Sequence, residues 1–254
     1  MNLTSDNYFS QEAAEQYMSV SQYKTFEKCE AMALAEIQGI YERKKTSALM
    51  IGSYVDAYYE GTLEKFKKEN PECFKRDGTL KSEFVQAEEV IKAIDRQPYL
   101  LTLLSGQKQK ILTGTIEGVD VKIKIDSLLP NMIVDLKVMR DFAPIYVEEE
   151  GRLPWYQAWG YDIQGAIYRE IVRQNTGKTL PFVLVAATKE EVPDVDAIEI
   201  DTALLDYELS EFKIKAPRYD AIKKGIIAPV GCDKCNFCKS RKIITEIRKT
   251  EEEI

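Results

Sequence analysis

The spacing of apolar positions changes period along the chain, and those changes mark its elements. In QYKTFEKCEAMALAEIQG, Tyr23, Phe26, Ala33, Leu34 and Ile37 fall on one helical stripe, with Ser21 placed to cap its start and Gly39 its end. A second helix is expected from Ser47 through ALMIGSYVDAYYEG, which sets Asp56 and Glu60 one turn apart on one face. Residues 62–80 are lysine-rich, with Pro71 and an Asp77-Gly78 turn, and residues 82–96 return to helical periodicity. From about residue 107 the period drops to two. QKILTGTIEG reads as a strand ending at Glu117-Gly118. VDVKIKIDSL then alternates, with Val119, Val121, Ile123 and Ile125 on one face and Lys122, Lys124 and Asp126 on the other. After a turn at Pro130-Asn131, MIVDLKV puts Val134, Leu136 and Val138 on the face opposite Asp135 and Lys137. Residues 155–173 are helical again, and Gln157, Tyr161, Gln164 and Tyr168 repeat along one side. FVLVAAT is a short continuous apolar strand of the kind buried on both faces, and residues 201–224 form a last long helix. This order predicts an α/β domain whose mixed sheet is covered on both sides.

The hairpin carries the first chemical signal. A turn centred on Pro130-Asn131 places Asp126 directly across the ladder from Asp135. Like charges in that position destabilise a hairpin unless a cation bridges them or one carboxylate holds a proton. Two carboxylates with Lys137 nearby are what an oxygen-preferring ion such as Mg²⁺ or Mn²⁺ needs for phosphodiester hydrolysis. A solvated polar strand face is the plain alternative.

Composition narrows the chemistry. The 254 residues include no histidine, which excludes Ser-His-Asp triads, Cys-His pairs and His-ligated zinc hydrolases. The 35 basic and 42 acidic side chains leave a net charge of −7, so the chain is no general nucleic-acid coat, although a local basic groove remains compatible with that total. No apolar run is long enough to span a membrane and no signal-peptide pattern opens the chain, so a cytoplasmic protein is expected. Cys232, Cys235 and Cys238 are spaced like metal ligands, and in a reducing compartment such a group reads as metal binding or redox chemistry. Cys73, in a charged stretch, reads as incidental. Residues 1–18 are expected to be loosely held, residues 19–245 to form one domain, and residues 246–254 to be a charged tail.

The Asp126…Asp135-Leu136-Lys137 arrangement resembles the PD-(D/E)XK nuclease signature, and residues 19–240 are similar to the RecB-like branch that includes phage RecE-type exonucleases and CRISPR-associated exonucleases. SVSQYKTFEKC resembles that branch's N-terminal helix, IGSYVDAYYEG its Gly-x3-His-x3-Glu helix, and Gln164-x3-Tyr168 its Gln-x3-Tyr helix. The resemblance implies a restriction-endonuclease-like α/β core with an antiparallel catalytic hairpin. It implies a metal-dependent DNA exonuclease of phage recombination or repair type that leaves 5′-phosphate and 3′-hydroxyl ends. A non-catalytic DNA-binding or adaptor protein on the same fold is the alternative.

By the same resemblance Asp56, Asp126 and Asp135 bind Mg²⁺ or Mn²⁺, Asp56 standing where the family has histidine. Lys137 assists the attacking water, and Gln164 and Tyr168 contact the nucleotide or a catalytic carboxylate. Glu60 is a further ligand or a surface charge. Lys122 and Lys124 are candidate phosphate contacts. Cys29 joins Cys232, Cys235 and Cys238 as the fourth ligand of a four-iron–four-sulfur cluster, zinc or four free thiols being the other readings. DNA is the expected partner, with a homo-oligomer or a phage recombination protein as further candidates.

Overall fold

A computed structural model describes residues 1–44, 46–148 and 150–246. Beyond Glu246, the expected charged tail lies outside the described residues. In chain order the first elements are α1 (Gln11–Gln16), α2 (Val20–Lys28), α3 (Glu30–Ile37), α4 (Ser47–Glu60), α5 (Leu63–Glu69), α6 (Ser82–Asp95) and α7 (Pro98–Leu103). The strands β1 (Gln107–Ile116), β2 (Val119–Leu129), β3 (Met132–Met139), β4 (Ile145–Val147) and β5 (Gly151–Leu153) follow. Then come α8 (Trp155–Ala158), α9 (Tyr161–Thr176), β6 (Phe182–Thr188), β7 (Val195–Glu199), α10 (Thr202–Lys223) and α11 (Asn236–Ser240).

Five strands form one mixed sheet in the order β1-β2-β3-β6-β7, in which only β3 and β6 run parallel. Every residue of β6 is buried. Phe182, Leu184 and Ala186 enter a core with α2, α9 and α10, while Val183, Val185 and Ala187 enter a second core with α4, α6 and α7. That double cover is why its sequence is continuously apolar rather than alternating. Gly165 lets α9 close onto this strand, because a Cβ there would lie 2.4 Å from the Phe182 ring. This is the restriction-endonuclease-like α/β architecture the sequence implies, with a mixed sheet flanked by helices.

Three local expectations change. The helix expected after Ser21 starts as α2 and is capped by Ser19, not Ser21: Ser19 Oγ accepts from the Gln22 amide and Gln22 Oε1 accepts from the Ser19 amide, both at 3.2 Å. This reciprocal box satisfies two otherwise orphaned amides, which Ser21 could not do. The helix also breaks at Cys29, whose extended backbone ends α2 and whose sulfur caps α3. The helix expected over 155–173 is two pieces, α8 and α9, separated at Gly160 with φ +63°.

Residues 1–18 are not loose. Ser10 caps α1, Tyr8 and Met18 are buried, and Met18 pairs with β2 beside Val121. Its amide donates to the Asp120 carbonyl at 2.7 Å, and its carbonyl accepts the Lys122 amide at 3.0 Å. The backbone groups on that edge of β2 need partners once β3 has diverged, and Met18 supplies them.

Candidate active site

The site begins where the hairpin ladder stops. β2 and β3 pair over three positions, Leu129–Met132, Leu128–Ile133 and Ser127–Val134, the register set by a turn at Pro130-Asn131. Asp126 and Asp135 come next, and there the strands fork. Asp126 Oδ2 accepts the Leu136 amide at 2.9 Å, so a side chain stands in for the missing ladder partner. Its Oδ1 accepts from Gln109 Nε2 at 3.3 Å, from the position where β1 interrupts its register with φ +50°. β3 continues along β6, and β2 turns toward Met18. The fork leaves a cleft lined by Asp56, Glu60, Lys108, Gln109 and Asp126.

Asp135 is 1% exposed. Gln164 Nε2, from α9, donates to its Oδ1 at 2.6 Å. The Lys137 ammonium presses against the buried Oδ2 as a contact ion pair. Burial pushes the Asp135 carboxyl up to about 7; Lys137 opposes that rise and neighbouring Asp126 adds to it. Asp56 projects from α4, whose residues Ile51, Tyr54 and Val55 are anchored in the second core. Burial, then the charge of Asp126, holds Asp56 well above the usual carboxylate range. Glu60 is raised by burial too, with Lys124 pulling the other way, so it faces the cleft rather than open solvent. Burial would lower the Lys137 pKa, but Asp135 and Asp126 outweigh it and keep the group an ammonium.

These donors fit a hard divalent cation. They are all oxygens, two of the carboxyls are raised by burial, and their charges repel. The aspartates are not drawn as close together as the cysteine quartet described below.

Two residues beyond the sequence reading belong to this neighbourhood. Lys24 of α2 donates to the Trp159 carbonyl and sits 5.2 Å from the centre of the Tyr161 ring, which Lys137 also faces at 4.9 Å. Burial, then the charge of Lys137, brings Lys24 down to about 8. Lys108 of β1 lies close enough to Asp126 and Glu60 to feel both, though burial lowers it. No spacing rule connects positions 24, 108 and 137; the topology alone brings them together.

Two expected roles change. Lys122 does not face a phosphate backbone: it is 4% exposed, donates to the Tyr8 carbonyl at 2.6 Å and lies 4.8 Å from the Tyr8 ring centre. The N-terminal segment covers the strand face that would otherwise have presented it. Lys124, one alternation on, stays half-buried beside Phe9 and within reach of Glu60. Tyr168 is buried, and its hydroxyl donates to the Lys124 carbonyl at 2.8 Å. That bond makes it a brace for β2 two residues before Asp126.

Away from the cleft, the sulfur atoms of Cys29, Cys232, Cys235 and Cys238 all lie within 4.8 Å of one another, with Cys29 and Cys238 at 3.5 Å. Backbone amides point at three of them: Met32 to Cys29, Cys235 to Cys232 and Cys238 to Cys235, at 3.3–3.4 Å. The Cys235 amide is the main reason Cys232 falls to about 7, while burial pushes Cys29 up to about 12. A four-iron–four-sulfur cube does not fit this spacing, because thiolates on different corners of a cube stand roughly 6 Å apart. Cys73 is remote and fully buried against Ile51 and Tyr54, a core residue rather than a loop thiol.

The fold and the forked hairpin define a PD-(D/E)XK architecture, and comparison with known proteins agrees. The sequence model of the family described as "PDDEXK-like domain of unknown function (DUF3799)" matches residues 19–241, and the chain belongs to that family. The crystal structure of a "Putative exonuclease" from Eubacterium rectale is similar over 100% of this chain and 98% of that one, at 44% identity and a TM-score of 0.95. No curated protein matches the chain. Among the described residues, no helix is long and apolar enough to cross a membrane.

Proposed function

We propose that this protein is a divalent-metal-dependent DNA exonuclease of RecB-like type, serving phage-type recombination or repair. Family membership and the Eubacterium rectale neighbour support a nuclease. The observation that carries the metal-dependent reading is Asp135, a buried carboxylate close enough to Asp126 and Asp56 for their charges to interact with its own, with Lys137 as the cation against its Oδ2. Such a cluster is relieved by a cation.

Asp56, Asp126 and Asp135 would hold Mg²⁺ or Mn²⁺, which supplies charge to polarise the phosphate and to acidify the attacking water. Gln164 orients Asp135 from behind. Lys137, kept protonated by its acidic neighbours, stabilises developing negative charge on the phosphate and orients the water; it does not take up a proton. Lys124 and Lys108, at the cleft edge, meet the DNA backbone. Asp56 replaces the family histidine with a hard ligand and adds a negative charge to the set.

The test is hydrolysis of linear duplex and single-stranded DNA with Mg²⁺ or Mn²⁺. Release of nucleotides with 5′-phosphates, lost in chelator and in Asp135→Asn and Lys137→Ala, is the expected result. Full activity in either variant refutes the site. DNA binding without metal-dependent cleavage would leave a binding protein on a nuclease fold.

A further inference from the structure

We propose that Cys29, Cys232, Cys235 and Cys238 bind one tetrahedral zinc ion that fastens the segment around residues 230–240 to the junction of α2 and α3. Tetrahedral zinc holds thiolates about 2.3 Å away, which sets the sulfurs about 3.8 Å from one another. The observed quartet, all within 4.8 Å and two of them at 3.5 Å, matches that spacing and not the wider one of an iron–sulfur cube.

The backbone is shaped for it. Cys232-x2-Cys235-x2-Cys238 folds into two successive knuckles in which each cysteine's sulfur accepts the amide of the next, the arrangement that stabilises thiolate over thiol. Asp233 takes φ +56° to turn the first knuckle. Gly231 passes so near Cys238 that a Cβ would lie 3.2 Å from its sulfur. Cys29 is brought to meet them by the helix break, where its extended backbone turns the sulfur onto the Met32 amide at 3.4 Å.

Contacts independent of any metal hold both sides in place. The Ala31 amide donates to the Val230 carbonyl at 3.1 Å, and Glu30 accepts from the Val230 amide and from Arg218. A four-thiolate zinc site carries excess negative charge, and Lys234, Lys239 and Arg241 flank it in sequence. All-thiolate tetrahedral geometry also suits a single iron, but divalent affinity orders zinc above ferrous iron. None of the four cysteines lines the carboxylate cleft, and the inference does not depend on the proposed nuclease activity.

The experiment is metal and acid-labile sulfide analysis, with a visible spectrum, of the full chain purified without oxygen from cells supplied with both iron and zinc. The expected result is close to one zinc per chain, no sulfide and no visible absorption. A Cys232→Ser/Cys235→Ser variant should lose the zinc, and Cys73→Ala should keep it. If the double variant fails to fold, mercurial titration of the wild-type protein should release one zinc per four thiols titrated, read with a chromophoric chelator. Iron with sulfide, iron alone, or metal-free protein with four freely reacting thiols would each overturn the proposal.

Discussion

Replacing Lys122 with methionine separates a buried lysine from a DNA contact. In the folded protein burial brings its pKa from 10.5 down to about 8. The folded state therefore releases a proton that the unfolded chain keeps between those values, and stability rises with pH across that window. At pH 7 the group is charged in both states, and the cost of burying the charge is fully present. At pH 9.5 the folded ammonium has given up its proton while the unfolded one largely has not, so most of that cost is gone. Integrating the two titrations gives a change of at most about 2 kcal/mol between pH 7 and pH 9.5.

Methionine fills similar volume and removes the titration. It also removes the hydrogen bond to Tyr8, a loss common to both pH values that cancels when they are compared. The other buried lysines cancel between wild type and variant. Urea unfolding of both proteins at both pH values measures the double difference. Lys122→Met should be more favourable, relative to wild type, at pH 7 than at pH 9.5, by 1–2 kcal/mol in order of magnitude. Duplex affinity and its salt dependence should be unchanged. An equal effect at both pH values, or a salt slope lower by about one charge, would show that Lys122 faces phosphate after all.

Gln164→Ala removes the one side-chain hydrogen bond donor on Asp135 Oδ1 and should lower kcat by about 10–100-fold with little change in KM for DNA. The same loss should move the acid limb of the pH–rate profile upward, because the ionised carboxylate loses a donor. Tyr168→Phe leaves the Lys124 carbonyl unpaired and should cost about 1–2 kcal/mol of stability while kcat stays within a few-fold. A hundredfold loss of kcat at unchanged melting temperature would instead make Tyr168 catalytic. In chelator, stability should fall as pH rises from about 4 to about 7, where the unfolded chain gives up the Asp135 proton that the folded one keeps. Mg²⁺ at a hundred times its Kd should raise stability above pH 7 by about 2.7 kcal/mol, and Asp126→Asn should abolish most of that gain in a thermal-shift assay.

The sequence carried the hairpin well, since a two-residue turn fixes register and the observed pairs Ser127–Val134 and Leu128–Ile133 follow from Pro130-Asn131. The α4 helix and the buried β6 were likewise visible, because each has one strong period or none. What local pattern could not supply was long-range cover. Lys122 looks solvated on a polar strand face until Tyr8 and Met18 lie over it. Lys24 looks like a surface charge until Tyr161 and Lys137 arrive beneath it. The edge strand β7 and the β4–β5 hairpin, three to five residues long, are too short to show a period.

The join between Cys29 and Cys238 spans 209 positions of sequence. At ribosomal rates of about 5–20 residues per second, roughly 10–40 seconds separate the two cysteines during synthesis. For most of that interval α2 also lacks the helix it packs on, since Lys215 and Tyr219 of α10, which meet Glu27, are made only near its end. The helix that brings Lys24 beside Tyr161 and Lys137 therefore finds its full seat only late in translation, after the strands that carry Lys108, Lys124 and Lys137 have been made.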